Sequence, residues 1–439
     1  MRPGVVTVLC LVQFVDVLGV TSVVTAIPAI LHGIGADDAA AGPLATTYAM
    51  FFGAMLILGA RLGDRYGHRK ILLIGIAVFG AVSIIGGTAT ALPQVLIARA
   101  VQGAAAAISA PSALGLILHT TGSGPARSRA LAAWSAVGAA AGATGFLIGG
   151  LLTTALGWPA VFWVNAPVAA ILFAGVLLVV RDEPAPGAAS RLDVLGAALL
   201  VGTVMPLIAG TALLENRASR VNAAGLLLLA VLVAGLLTWR LRRARWPLVP
   251  RAAFRSVNLR RGSVQSFVNT ATTSSSSVLA TFVLQDQLGI PALLSGLALM
   301  AFSLAVVAGS AVTGRIAPRL GPDKLAAVGT ATIGAGNVIL ATLGSSWPWI
   351  AAGVAVIGVG LAAASVAATG LGTTVPDELA GSAAGIVNTG AQLGTAIGTA
   401  VVILIATAAS TAVGWTVAAV VALTCAAWCA ARRTPAIPR

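Results

Sequence analysis

Long apolar runs follow one another along almost the whole chain, and short polar loops separate them. Hydrophobic types make up 58% of the 439 residues and charged types only 9%, against about 25% charged residues in soluble domains. One crossing of a bilayer core needs about 20 helical residues. The composition excludes disordered chains, nucleic-acid-binding domains and nearly all soluble enzymes. We predict an all-α polytopic membrane protein with fourteen transmembrane helices over residues 5–31, 42–61, 71–91, 92–118, 130–153, 159–180, 193–214, 222–239, 262–285, 293–314, 325–343, 348–371, 381–405 and 412–430.

The basic residues lie between the apolar runs and mostly on one side of the predicted membrane. If the N-terminus is cytoplasmic, 23 of the 26 Lys and Arg residues fall in cytoplasmic segments, as the positive-inside rule requires. Arg217 and Arg220 fall on the other side, and Arg99 lies inside the membrane. This distribution predicts that both termini are cytoplasmic, and it accounts for the net charge of +14 without nucleic acid. The loop 372–380, which has two acidic and no basic residues, fits this topology least well.

The type and position of the basic residues also bear on location. Arginine outnumbers lysine 24 to 2, as in proteins of GC-rich bacterial genomes, so we expect a multi-pass protein of a bacterial plasma (inner) membrane. The first run is too long, and too polar at Asp16, for a cleavable signal peptide. The loop 240–261 has eight arginines and Trp246. We expect it to contact anionic headgroups at the cytoplasmic surface of the lipid bilayer.

Cysteine and histidine usage indicates neither a disulfide framework nor a metal centre. All three cysteines lie in apolar runs, and Cys425 and Cys429 are four residues apart on one helix face. The histidines are expected in loops and far apart, without metal-ligand spacing; they are His32, His68 and His119.

An internal repeat divides the chain. The segment 59–70 (GARLGDRYGHRK) reappears in weaker form at 313–324 (TGRIAPRLGPDK), and both copies follow the second span of their half. Such repeats are typical of transporters built from two related halves. We predict an N-terminal six-helix half over residues 1–180 and a C-terminal six-helix half over 262–439. The intervening residues 181–261 are predicted to be an insertion with two extra transmembrane helices and the basic loop.

Four stretches together resemble the major facilitator superfamily, in particular its fourteen-span drug/proton antiporter branch. The segment 59–70 is similar to the family's loop between helices two and three, and 96–103 (LIARAVQG) with Pro111-Ser112 to its fourth-helix motif. The stretch from Gly149-Gly150 to 162–167 (FWVNAP) resembles helices five and six, and 385–398 resembles helix thirteen. The resemblance covers essentially the whole chain. It implies a secondary active transporter in which two halves alternate access to a central substrate site.

The sequence departs from the branch at three places. The fifth-helix glycine motif has Phe146 where the branch has proline, and this motif is associated with antiport. Nine residues before Pro28 the branch has an acid, whereas this chain has Gly19 and carries Asp16 one turn earlier. The Trp-Arg-Trp that often opens helix six is 158–160 (WPA) here. These departures bear on the coupling and direction of transport.

Asp16 is the one acid that the sequence places near the middle of the membrane. It lies about 17 Å along the first span at the helical rise of 1.5 Å per residue. A charged residue there costs about 2.5–3.5 kcal/mol on insertion scales, so a compensating role is expected. We predict that Asp16 takes up and releases the coupling proton; the alternative is a packing acid bonded to a neighbouring helix. A single central acid favours cationic substrates, although an acid that carries protons does not settle substrate charge.

Arg99 is the one intramembrane cation, about 10 Å from the outer end of the fourth span. In the resembled fold, spans one and four face the central cavity. We therefore predict that Arg99 pairs with or lies near ionised Asp16, and that protonation of Asp16 loosens the pair. The alternative is a structural arginine that caps carbonyl groups. Gln102 shares a helix face with Arg99 and is a candidate to relay the proton or hold a water.

The loop after the second span is the candidate cytoplasmic gate. By resemblance, Arg61, Asp64 and Arg65 latch the inner gate in the outward-open state, with smaller roles for Arg69 and Lys70. The alternative is a topology anchor that positive charge holds in the cytoplasm, and both roles can coexist.

Two polar groups of residues are candidates for the substrate cavity. Seven hydroxyl residues fall within 270–277, and we select Thr273, Ser274 and Ser277 as a polar wall. Such hydroxyls can instead bond their own helix carbonyls, which leaves both possibilities open. Asn388 and Gln392 share a face of the thirteenth span and are expected either to line the cavity or to bond a neighbouring helix.

The predicted function is proton-coupled efflux of an amphipathic drug or antibiotic. A dedicated exporter of one self-made natural product and a non-transporting membrane sensor or assembly protein remain alternatives. No phosphate-binding loop with Lys-Ser/Thr occurs, and no nucleophile–base constellation stands out, so we expect no enzyme activity. We expect no cofactor beyond the proton gradient, no nucleic acid and no metal. The expected partners are a small amphipathic substrate and the bilayer, with a monomer as the favoured oligomeric state.

Overall fold

The computed structural model describes residues 3–121, 125–181, 193–213, 220–244, 247, 255–375 and 377–431. Every regular segment within these ranges is helical. In chain order the α-helices are α1 (Pro3–Ile34), α2 (Ala41–Tyr66), α3 (His68–Gly87), α4 (Leu92–Thr121), α5 (Pro125–Leu156), α6 (Pro159–Trp163), α7 (Asn165–Val179), α8 (Val194–Leu213), α9 (Arg220–Arg243), α10 (Val257–Phe282), α11 (Ala292–Leu343), α12 (Trp347–Thr373), α13 (Asp377–Ala408) and α14 (Thr411–Ala430). A 3₁₀ turn precedes α2 (Asp38–Ala40), and a π-helical turn follows α10 (Val283–Gln287).

Ten helices in the described residues are long and apolar enough to cross a membrane, or eleven if the bent α2 is one span. The chain is thus an all-helical multi-pass membrane protein. Two apolar helices are shorter, Ala140–Leu156 in α5 and Val194–Leu207 in α8. The hydroxyl run in α10 lowers that helix's mean hydropathy, although most of its side chains are buried.

The two copies of the sequence repeat share a backbone feature. Gly67, between α2 and α3, has φ +92°, and Gly321, inside α11, has φ +71°. Side chains disfavour this region, so glycine allows the chain to turn at both places. Gly321 is the kink at which α11 changes direction, and it lies close to the start of the second of the two spans within α11, Ala292–Ala317 and Arg319–Leu343.

The two ends of the bundle can be distinguished by contacts between helices far apart in the chain. Gln285, just after α10, donates to the carbonyl of Thr25 in the later part of α1 (2.8 Å). Cys429, near the end of α14, donates to Gln265, near the start of α10. The beginnings of α1 and α10 and the end of α14 therefore lie at one end of the bundle. We call this end the terminal side and the other end the opposite side.

The apolar cores show that the two halves meet at the opposite side. There one continuous core includes Ile27 and Ile30 of α1 together with Leu284, Leu299 and Ile403 of the second half. At the terminal side the cores are separate; one lies within the first half and includes Leu9 and Ile117. Another lies within the second half and includes Leu325 and Leu371. The structure is therefore closed at the opposite side, whereas each half has its own core at the terminal side.

Glycines allow close approach along two seams between the halves. A side chain at Gly150 of α5 would collide with the carbonyl of Ala292 in α11, and one at Gly53 of α2 would collide with Gln392 of α13. Small residues permit such backbone contacts between membrane helices. The two pairs, α5 with α11 and α2 with α13, form the seams of the bundle.

Helices α8 and α9 lie at the periphery of the bundle. Val204 of α8 packs in one cluster with Met50 of α2 and Ala400 of α13, so α8 covers one seam. Only 11% of the most apolar 18-residue stretch of α9 is buried, as expected for a lipid-facing helix. Arg240 of α9 pairs with Asp193 before α8 (3.1 Å). Part of the predicted basic loop, residues 245–246 and 248–254, lies outside the described residues, as does Arg217.

All three histidines contradict the sequence-based prediction of loop positions, and His32 lies in the last turn of α1. His68 is the first residue of α3, and His119 lies in the last turn of α4. Their ring centroids are 5.7 Å apart. The prediction that they lie in loops and far apart is wrong, because the positive φ of Gly67 turns α3 back against the end of α4.

Candidate functional site

Asp16 lies inside the first half rather than on the surface between the halves. Its residue exposure is 7%. Its carboxyl lines a small cavity formed by α1, α3, α4 and α7, with Phe79, Ser109 and Leu172 among the lining residues. Ser109 hydrogen-bonds to the carboxyl, and the Oδ2 atom is buried without a hydrogen-bond partner among the described residues. The side chain is thus an ionisable group in an almost wholly apolar environment.

This position corrects the expectation that Asp16 is a central acid that favours cationic substrates. Leu9, Val12 and Asp16 recur at helical spacing, and all are buried, so they form the face of α1 that packs within the first half. Gln13 lies on another face and is half-buried. The periodicity of α1, had it been weighted above the resemblance, would have indicated this orientation.

Arg99 of α4 is also buried, with 1% exposure. Its guanidinium donates to the carbonyl of Gly19 at 2.9 Å and to Oε1 of Gln102 at 3.4 Å. The guanidinium carbon lies 4.8 Å from the ring centroid of Tyr48, a cation–π distance. Arg99 therefore links α1, α2 and α4.

The structure contains no ion pair between Asp16 and Arg99 in the described residues, so the predicted direct pair is absent from this conformation. Arg99 instead bonds the α1 backbone one turn further along, at Gly19. That is the position where the resembled branch has its acid. Tyr48 connects the two groups, because its ring faces Arg99 and its hydroxyl donates to the Asp16 carbonyl at 3.2 Å.

Gln102 extends the polar cluster to α3. Its Nε2 donates to Oγ of Ser83 at 2.8 Å, and its Oε1 accepts from Arg99. Sequence reasoning did not select Tyr48, Ser83 or Ser109. Tyr48 is one of two tyrosines in the chain, which is the only sequence signal that singles it out.

The predicted gate residues lie at the terminal side, at the end of α2. Asp64 pairs with Nε2 of His68 at 3.3 Å, and its side chain is 57% exposed. The guanidinium of Arg65 lies 5.3 Å from the ring centroid of Tyr66, and Arg61 is half-buried one turn before. Arg69 donates to the carbonyl of Leu177 in α7 at 3.1 Å. In this conformation Asp64 and Arg65 make their side-chain contacts within the first half.

The His68 ring is closely packed between two glycines beside this loop. A side chain at Gly63 or Gly115 would collide with the His68 ring. The His119 ring lies beside it, and the Nδ1 atom of His68 is buried without a hydrogen-bond partner among the described residues. His68 follows Asp64 by four residues, and the turn at Gly67 between them, with φ +92°, places the His68 ring against the end of α2.

The hydroxyl run of α10 divides into two kinds of side chain. Ser277 donates to the carbonyl of Thr273 (3.1 Å) and Ser275 to that of Ala271 (2.7 Å), which is the local bonding considered above. Thr273 and Ser277 are 2% and 6% exposed. Ser274 differs, because it is half-buried and its hydroxyl lies 3.2 Å from that of Thr395 in α13.

Asn388 and Gln392 share a face of α13 with Thr395. Asn388 is exposed and Gln392 half-buried. Gln392 touches Gly53 of α2, while Thr395 bonds Ser274 of α10. This face of α13 therefore points between α2 and α10, one helix from each half. The structure brings Ser274, Asn388 and Gln392 together on that seam, whereas Thr273 and Ser277 are buried within the second half.

The chain matches a known protein family along almost its whole length. Residues 9–264 and 262–439 match the family model described as Major Facilitator Superfamily. A tetracenomycin C resistance and export protein of Streptomyces glaucescens is 33% identical over 384 residues, which cover 85% of this chain and 70% of that protein. A puromycin resistance protein of Streptomyces alboniger is 32% identical over 400 residues, covering 89% and 79%.

A solved structure has the same fold. A POT family transporter, crystallised in complex with 5-aminolevulinic acid, superposes with a TM-score of 0.73 at 13% identity, covering 97% of this chain and 95% of the other. The sequence match and the helical architecture agree, and the chain belongs to the major facilitator superfamily.

Proposed function

We propose that this protein is a secondary active transporter that exports amphipathic drugs or antibiotics in exchange for protons, by alternating access. The resistance and export functions in the names of its relatives support the substrate class. One observation carries the proton coupling: Asp16 is a buried carboxyl with an unpartnered oxygen, one helical turn along α1 from Gly19, to which the buried Arg99 donates.

The proposed architecture has fourteen spans. In this arrangement α1 to α7 form six spans, α8 and α9 are the inserted pair, and α10 to α14 form six more because α11 turns at Gly321. We propose that the terminal side faces the cytoplasm of a bacterium, which the positive-inside distribution supports. The structure then corresponds to an inward-facing state, closed toward the outside.

The buried pair suggests how protonation drives the change of state. In the apolar cavity the protonated Asp16 carboxyl needs no counter-ion, whereas a carboxylate left there unpaired is strongly unfavourable. Arg99 lies one helical turn away, bonded to Gly19. A shift of α4 along α1 by one turn would bring the guanidinium to the carboxylate. We propose that proton release and this shift occur together, and that Gln102 follows Arg99.

The gate loop acts at the other end of the same helices. In the inward-facing state His68 holds Asp64 within the first half. We propose that Asp64, with Arg61 and Arg65, exchanges these contacts for ones with the second half when the terminal side closes. The exposure of Asp64 leaves it accessible for that exchange.

Two alternatives remain. Export of a single self-made compound is favoured by the relative named for both resistance to and export of tetracenomycin C. A sensor or assembly protein without transport would not need an ionisable Asp16. In our proposal the transporter works as a monomer, without bound cofactor or metal, and catalyses no chemical reaction.

The test is substrate-triggered proton flux in proteoliposomes with a defined pH on each side. We expect flux from the parent protein with a panel of amphipathic compounds, and a loss of about 100-fold with Asp16→Asn, comparable to 2.7 kcal/mol at 1.36 kcal/mol per decade. Thr332→Val is the matched control, because Thr332 is a half-buried residue of α11 whose hydroxyl donates to the carbonyl of Val328 in its own helix. Flux that persists in Asp16→Asn would place the proton site elsewhere. If no compound triggers flux in the parent, the efflux proposal fails.

A further inference from the structure

The membrane-embedded part of the chain is almost free of charge. Apart from the ends of the apolar runs, Asp16 and Arg99 are the only charged residues within them. Residues 262–314 contain one charged residue, Asp286 at the opposite side, and residues 325–376 and 379–431 contain none. Any charge at mid-membrane in the substrate path therefore has to come from Asp16 or Arg99.

Both of these residues are turned away from the seam. The Asp16 carboxyl faces the cavity among α1, α3, α4 and α7, all helices of the first half. Arg99 is 1% exposed, and its guanidinium is occupied by Gly19, Gln102 and the Tyr48 ring. A molecule bound between the halves in this conformation meets neither charge.

The seam instead presents uncharged hydrogen-bonding groups from both halves. On the second half they are Asn388, Gln392 and the Ser274–Thr395 pair. On the first half Gln13 of α1 is half-buried and lies beside Gly138 of α5, the helix that forms one of the seams. Carboxamides supply donors and acceptors at once, so these side chains can bond hydroxyl, carbonyl and amide groups of a ligand.

Physical cost decides which ligand fits such a surface. A charged ligand loses its hydration on entering a low-dielectric site, and without a counter-ion nothing offsets that loss. A neutral ligand loses less and recovers it through hydrogen bonds. We infer that the seam binds electrically neutral amphipathic molecules with several hydrogen-bonding groups, and that a net charge on the ligand weakens binding. This inference rests on the proposed function, because it assigns the substrate class of the same site.

The experiment measures equilibrium binding of one ring system in three charge states to the full-length protein in detergent micelles. The fluorescent probes are 9-anthracenemethanol, its trimethylammonium analogue and 9-anthracenecarboxylate. We expect the alcohol to bind at least about tenfold more tightly than either ion, since an uncompensated charge costs more than one hydrogen bond is worth. If the cation or the anion binds as tightly as the alcohol, or if none of the three binds, the inference is overturned.

Two variants tie the preference to the seam. Asn388→Leu should weaken binding of the alcohol about three- to tenfold, while the control Thr332→Val leaves it unchanged. Gln392→Glu should raise the affinity of the cationic probe about tenfold, because it adds a counter-ion. A gain of binding cannot result from misfolding. If Gln392→Glu leaves cation affinity at the parent value, Gln392 does not face the bound molecule and the site lies elsewhere.

These binding measurements need no proton gradient, so they test the proposed substrate class separately from the proposed proton coupling. Preferential binding of the alcohol without proton flux in proteoliposomes would leave the substrate class standing and remove the proton coupling. Proton flux triggered only by the cationic probe would do the reverse.

Discussion

The two halves of the molecule hold polar clusters at equivalent places, and the clusters differ in charge. In the first half the cluster contains ionisable Asp16 and Arg99. In the second half Gln265 bonds Asn269 and Thr330, and Cys429 donates to Gln265 at 2.9 Å. The second cluster is neutral, and its members tie α10 to α11 and α14.

The sequence repeat allows individual positions of the two halves to be paired. The two copies of the repeat, 59–70 and 313–324, are 254 residues apart, and at this offset Ser83 of α3 corresponds to Asn337 of α11. Ser83 accepts from Gln102, and Asn337 accepts from Ser276, so both positions bond a neighbouring helix of their own half. The halves thus share a packing scheme, while only the cluster of the first half contains a carboxyl and a guanidinium. We infer that proton coupling belongs to the first half and that the second contributes substrate contacts.

The side-chain pairs at the terminal side also differ between the halves, in how deeply they are buried. In the first half Asp64 is 57% exposed and pairs with His68, whereas Arg261 and Asp323 in the second half pair with side-chain exposures of 5% and 21%. An exposed carboxylate such as that of Asp64 can exchange partners at little cost. A buried pair holds its helices together, so the second half is expected to move as the more rigid body at this end.

The largest expected effect concerns those pairs. Arg261→Ala should lower the free energy of unfolding by about 3–5 kcal/mol, because it leaves Asp323 without its buried partner. Asp64→Ala should cost less than about 1 kcal/mol, since the carboxylate of that pair is exposed. Unfolding of both variants by sodium dodecyl sulfate in mixed micelles measures the difference. Equal losses would remove the distinction between the two loops.

Moving the acid tests whether the first half is special. Asp16→Asn combined with Asn269→Asp places one acid in the second cluster, where the buried arginine of the same helix, Arg261, is already paired with Asp323. We expect proton flux to stay about 100-fold below the parent, close to 2.7 kcal/mol at 1.36 kcal/mol per decade. The readout is substrate-triggered flux in proteoliposomes, with the single variant Asn269→Ala as the control for packing. Restored flux would show that position in the repeat, not the surrounding first half, makes the proton site.

Separate sites for proton and neutral substrate have an electrical consequence. Exchange of a neutral molecule for one proton moves one net charge per cycle, and a potential of 100 mV then contributes about 2.3 kcal/mol. An imposed potassium diffusion potential of 100 mV should therefore drive export at equal pH until the substrate concentrations on the two sides differ by up to about 50-fold. This ratio is the same 2.3 kcal/mol converted at 1.36 kcal/mol per decade. Export that ignores the potential would indicate that a charged substrate or a second ion compensates the proton.

Closure of the opposite side depends on glycine at the seam between the halves. Gly150→Val places a side chain against the Ala292 backbone, whereas Gly225→Val on α9 meets no atom within 4 Å. We expect the first change to destabilise the closed state by about 1–3 kcal/mol through overpacking and the second to have little effect. Labelling of a cysteine introduced at Leu299, in the core shared by the halves, reports the opening. Equal labelling of both variants would show that this contact does not hold the gate.

Patterns in the chain are sufficient for several of these features. Apolar runs separated by arginine-bearing loops predict a multi-pass helical protein, because the backbone must satisfy its own hydrogen bonds in lipid. The matched Gly67 and Gly321 both adopt positive φ, as a repeat with a conformational need for glycine predicts. The motifs around Arg99 and in the loop 59–70 were sufficient to identify the family.

Other features depend on how helices are rotated and where they meet. The sequence contains Asp16 and Arg99 at similar depth, but the rotation of α1 turns the carboxyl into the first half and leaves Gly19 to accept the guanidinium. Likewise, the contact of His68 with His119 depends on the return of α3 against α4. Composition and local spacing are properties of one segment, whereas these contacts join segments far apart in the chain. Packing of several helices at once selects them, and a single helix does not encode that choice.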